Sequence, residues 1–106
     1  MATGILGTAD LALTTNTALY TVPADTFTIA NLNVCNRNTT AVIVRVALSA
    51  TDTPGNSEWI EYDVTIPANG VLERTGLALD STKNIVVYSD TTGVSALAYG
   101  IETSTV

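Results

Sequence analysis

Residues 27–48 constrain the fold more than any other stretch of the chain: Phe-Thr-Ile-Ala-Asn-Leu-Asn-Val-Cys-Asn-Arg-Asn-Thr-Thr-Ala-Val-Ile-Val-Arg-Val-Ala-Leu. Two runs rich in β-branched and apolar residues flank a polar Asn-Arg-Asn-Thr-Thr break, the pattern of an antiparallel hairpin with a loop of a few residues. Along the second run Val42, Val44, Val46 and Leu48 share one parity, so they line one face of a sheet. The opposite parity holds Ile43, Arg45 and Ala47. A strand that is half-apolar on its second side needs something to cover it. The first run changes phase: Phe27 and Ile29 share one parity, while Ala30, Leu32 and Val34 share the other. A β-bulge or a crossing between sheets near Ala30-Asn31 accounts for that change.

The rest of the chain has the same texture. Strands are expected over Ala18–Val22, Trp59–Val64, Val71–Leu79, Ile85–Ser89 and Val94–Ile101. Pro23-Ala24-Asp25, the 49–57 loop, Asn69-Gly70 and residues 90–93 supply turns, and Gly76 marks a bulge or bend. The only helix-like stretch, residues 4–13, is short, broken by glycine and uncapped. The expected fold is all-β: an antiparallel β-sandwich, jelly-roll or Ig-like, of about seven to nine strands. Residues 18–106 form the sandwich domain. Residues 1–17 are an N-terminal arm that is an ordered clamp, an edge strand or a frayed lead.

With 106 residues the chain makes one domain, long enough to fold without disulfides. Only 13% of residues are charged, about half the usual ~25%, with Thr, Ser and Asn in their place. This suits a stable β-rich protein with a neutral surface, or one that hides much of its surface in an assembly. The four basic residues, Arg37, Arg45, Arg74 and Lys83, are scattered in a chain of net charge −6, which disfavours nucleic acid and anionic membranes. The N-terminus lacks the features of a signal peptide, so synthesis in a cytoplasm is expected.

The chain has no histidine, which removes Ser-His-Asp and Cys-His catalysis and histidine-based zinc sites. The single cysteine, Cys35, lies in an apolar run and reads as a small buried thiol. The densest carboxylate group is Glu58, Glu61 and Asp63; alternation would place Glu61 and Asp63 on one strand face with Trp59. A carboxylate pair beside an aromatic is the raw material of a glycosidase cleft, but far more commonly of a solvated strand face with one amphipathic aromatic. No catalytic residue, cofactor or metal is assigned, and no enzymatic activity is expected. Trp59 either fills the core or sits at a subunit interface. The candidate interface residues are Ile43, Arg45, Ala47, Trp59 and Arg74, arginine being favoured where planar pairing with a neighbour is needed.

Five stretches, Leu-Tyr-Thr-Val-Pro (19–23), Asn-Val-Cys-Asn-Arg-Asn (33–38), Glu-Trp-Ile-Glu-Tyr-Asp (58–63), Asn-Gly-Val-Leu-Glu-Arg-Thr-Gly (69–76) and Tyr-Gly-Ile-Glu-Thr-Ser (99–104), give the chain its family character. Through them it resembles short virion structural proteins of tailed bacteriophages, of the type found in phages of marine and cyanobacterial hosts. The resemblance implies a non-enzymatic component of the virion: a capsid decoration or cement protein, or a neck or tail component. By analogy it implies a homotrimer whose partners are itself and the major capsid protein or a neck or tail protein. None of the five stretches is a catalytic signature. An adhesin-like carbohydrate-binding module using Trp59, Tyr62 or Tyr88 is the alternative.

Overall fold

The computed structural model describes residues 3–106. Eight strands follow one another: β1 (Thr3–Asp10), β2 (Thr17–Thr21), β3 (Thr26–Asn36), β4 (Val42–Ser49), β5 (Trp59–Ile66), β6 (Val71–Leu79), β7 (Asn84–Ser89) and β8 (Val94–Ser104). They form two four-stranded sheets, ordered β1-β8-β3-β6 and β2-β7-β4-β5, and every pairing is antiparallel. This is an all-β sandwich, and its strand order is that of a jelly roll rather than an Ig domain. Of the roles open to residues 1–17, Thr3–Asp10 take that of an edge strand paired to β8, and Leu11 enters the core.

The stretch 27–48 is not a hydrogen-bonded hairpin. β3 is paired with β8 and β6, while β4 lies in the opposite sheet between β7 and β5. Residues 37–41 therefore arch across the sandwich. The reason is burial: each run already has two neighbours in its own sheet, and its apolar row must face the other sheet across a core about 10 Å thick.

The phase change read in β3 does not occur either. Burial alternates without a break along all eleven residues of β3, with even-numbered side chains inward. Phe27 and Ile29 are apolar residues that face outward. A bulge does fall opposite Asn31, but the extra residue belongs to β6, between Arg74 and Leu77, where Gly76 adopts φ +67. The Asn31 side chain accepts a hydrogen bond from the Gly76 amide at 3.2 Å. Strand β5 carries two further irregularities opposite Arg45 and between Val46 and Ala47, and Asp63 sits there at φ +52. The Asn-Gly turn meets expectation, with Asn69 at φ +57.

Inward rows from both sheets make the core: Ala30, Leu32 and Val34 of β3 face Val42, Val44 and Val46 of β4, joined by Ile85, Val87, Ala96 and Ala98. Each fully buried Val, Leu or Ile among them is worth about 1.5–3 kcal/mol. Two polar knots close the ends.

Asn36, fully buried, is the centre of a knot that, with the neighbouring Arg37 amide, joins three loops. Its Nδ2 donates to the carbonyls of Thr40 (2.9 Å), Ile66 (3.2 Å) and Pro67 (3.0 Å), and its Oδ1 accepts from the Asn38 amide. Its backbone amide donates to Gly70, and that of Arg37 donates to Gly93.

The second knot links the sheets. The Tyr20 hydroxyl donates to Glu102 Oε2 at 2.5 Å, so the Thr28 hydroxyl, 2.8 Å away, must donate to Tyr20. Burial first, and the Glu102 bond second, push the Tyr20 phenol up to about 12. An unfolded tyrosine ionises near ~10, so this stabilisation is complete below about pH 10 and is lost as pH climbs toward about 12. A tyrosinate absorbance titration should show one phenol ionising near 12, absent from Tyr20→Phe. The variant's stability should also fall less steeply between about pH 10 and 12 than the wild type's. An unchanged titration would remove Tyr20 from this role.

Candidate functional site

Ile43, Arg45 and Ala47 lie on the outer side of β4, where their register partners on β7 and β5 include Tyr88, Val86 and Trp59. The Arg45 guanidinium is stacked between two rings, 4.2 Å from the Tyr62 centroid and 4.8 Å from that of Tyr88. Its Nε donates to Asp63 Oδ1 at 2.6 Å, which raises the guanidinium pKa above its ordinary value. Trp59 meets Tyr62 edge-on, with centroids 5.5 Å apart. Ala47, flanked by Trp59 and Val86, is completely buried within the chain, and Ile43 is half-buried.

Trp59 is thus neither a core residue nor a free aromatic; it covers the outside of the sheet. Arg74 stands apart from this group, on the other sheet, and reaches Glu61 across the open side of the sandwich at 3.7 Å.

The bulges of β5 separate the carboxylates that simple alternation had put together. Asp63 turns to Arg45 and Glu61 to Arg74. Glu58 is clasped by the 49–57 loop: it accepts from the Gly55 and Ala50 amides and the Ser49 hydroxyl, which hold its carboxyl below the usual range. Each of the three is thus engaged with a different set of partners. Among the described residues no group of three or more His, Cys, Asp or Glu side chains is placed to hold a metal. A cleft of about 140 Å³, lined by Leu48, Glu58, Leu79, Asp80 and Lys83, is small beside the ~300–1,000 Å³ of ligand pockets. Its charges are also engaged, since Lys83 pairs with Asp80 at 3.0 Å and lowers the Asp80 pKa.

Stacking of a sugar on Tyr62 and Tyr88 would meet rings whose facing sides Arg45 already occupies.

The surface that sequence reasoning missed is on the opposite sheet. Register places Ile29 beside Ile101 and Ala78, and Tyr99 beside Ile5, with Phe27 next in the row. Their exposures are high for large apolar groups, 67% for Ile5, 55% for Ile101 and 45% for Ile29. Cys35 lies on this outward face, half-buried rather than in the core. The signal was in the sequence, as the odd-numbered apolar residues of β3, but a phase change explained them equally well. Compared with known proteins, the chain matches no family model, no curated protein and no solved structure.

Proposed function

We propose that the chain is a non-enzymatic structural subunit of a phage virion, a capsid decoration or cement protein that works as a homo-oligomer. The observation that carries this reading is the open apolar area on the β1-β8-β3-β6 sheet of a charge-poor jelly roll. Soluble monomers rarely leave a contiguous apolar patch beyond a few hundred Å² in water, and such patches mark interaction sites. The other sheet, by contrast, fills its outer side with its own Arg45, Trp59 and Tyr62. The resemblance to short tailed-phage virion proteins supplies the particle, and the sandwich supplies a rigid body to place on it.

Mass spectrometry of purified particles should find the chain in many copies, and a reconstruction of the particle should locate it on the shell. Particles free of the chain would end the proposal, and density at the neck or tail would move the subunit there.

A further inference from the structure

The assembly reading leaves open what covers the apolar face, and we infer that a second copy of this chain does so, sheet against sheet, around Ile29, Ile101 and Tyr99. The inference rests on that reading only for its biological setting; the contact itself is a property of the isolated protein.

Three observations select the occupant. The first is where charge lies. Across the sheet, the outward rows run Ala78–Ile29–Ile101–Thr3, then Asn31–Tyr99–Ile5, then Glu73–Asn33–Leu97–Thr8, with Phe27–Thr103 at the far end. Acidic groups enter only at Glu73 and, beyond it, at Asp10, which is paired with Arg37. Two copies of a chain of net charge −6 repel each other over most approaches. They repel least through this half-face, which carries no charge. A strongly charged partner would gain nothing from it.

The second is size. Four strands about 4.8 Å apart and about seven residues of ~3.4 Å rise outline a face of roughly 19 by 24 Å. With side-chain relief this is on the order of 600–800 Å² of accessible surface, close to the ~800 Å² each partner contributes to a stable interface.

The third is composition. Six of the nine exposed large hydrophobics among the described residues fall on the outer face of this sheet, Ile5, Phe27, Ile29, Tyr99 and Ile101 in its uncharged half and Val71 beside Cys35 at the other end. Threonine and asparagine surround them, giving the apolar centre and polar rim of a protein interface. Sheets pack face to face in this way at the core of every sandwich. One face packed on its own copy is isologous and closes at two chains, in place of the three that the resemblance implies.

The test is the molar mass of the isolated protein by light scattering and sedimentation across a concentration series. Wild type should reach twice the 11.0 kDa of the chain. Ile101→Lys, at an exposed site, should lower the association at least ~100-fold and leave a folded monomer with the wild-type circular dichroism. Arg45→Ala, on the opposite sheet, should remain dimeric.

A wild type that stays monomeric at every concentration overturns the inference, as does a three-chain mass or a dimer that survives in a folded Ile101→Lys. Should Ile101→Lys lose its fold, Thr103→Lys on the same face takes its place and must dissociate the dimer. Particle composition decides the virion reading separately, so either can fail without the other.

Discussion

Asn36→Asp should abolish cooperative folding or lower the melting temperature by well over 10 °C. The two N–H groups of the native amide are shared among three carbonyls of two loops and its oxygen accepts a further bond, all from a position with no exposure. Aspartate at neutral pH has no donor, so the carbonyls of Thr40, Ile66 and Pro67 lose the Asn36 amide and face a carboxylate instead, the Pro67 carbonyl keeping only its bond from the Gly70 amide. Each buried acceptor left without a donor costs about 1–3 kcal/mol, and an uncompensated buried charge adds more. A domain of this size has roughly 5–15 kcal/mol in total, and each kcal/mol moves the midpoint by about 4–8 °C.

The comparison is Asn38→Asp. The Asn38 side chain makes one exposed bond, to the Thr92 carbonyl, and its loss should cost no more than about 1 kcal/mol. Thermal melts followed by circular dichroism separate the two. Equal, small losses would show that Asn36 is not the knot of the three loops.

Gly100→Ala should cost more than about 3 kcal/mol in denaturant unfolding, the range reserved for a named local clash. Gly100 sits in β8 between β1 and β3, at φ +158, and pairs with Ala30. A Cβ there would stand 2.1 Å from the Ile29 carbonyl oxygen and 2.8 Å from the Ala30 Cα. Both are backbone atoms of the central strand, so no side chain can swing aside. β3 and β8 would have to part by about 1 Å in an interior that is otherwise close-packed. Those strands form the longest ladder of the fold, along all eleven residues of β3.

Gly55→Ala is the matched control, since its Cβ would meet only the Glu58 carboxylate at an ordinary 3.7 Å. It should remain within about 0.5 kcal/mol of wild type. If Gly100→Ala proves as stable as that control, the close approach of β3 to β8 is not what the geometry shows.

Both positions look unremarkable in the sequence. Asn36 stands in a polar break that any surface loop would tolerate, and Gly100 lies in a strand without a turn signal. Local pattern carries no record of which distant backbone comes near. The same limit separates the two candidate surfaces. Ile43, Arg45 and Ala47 can be placed on one face from the sequence, because parity within β4 is a local property, whereas Trp59 of β5 and Arg74 of β6 cannot be placed relative to them in that way. Whether that face was open depended on Tyr62 and Tyr88, brought to Arg45 by bulges in β5 and by the neighbouring β7.

What the sequence determined by itself is the material of the fold: the strands from β2 onward, the turns at Asp25 and Asn69, the inward Val42, Val44 and Val46 of β4, and a chemistry without histidine. Alternation with period two and the conformational preferences of Gly, Asn and Pro act over a few residues, so they are written where they act. The partnering of strands was decided only in three dimensions. The stretch 27–48 carries two good strands and a good break, yet the two strands part to opposite sheets, because each buries more apolar surface across the core than it would beside the other. That parting turns Phe27 and Ile29 outward together with Tyr99 and Ile101, and so makes the face on which the assembly is proposed.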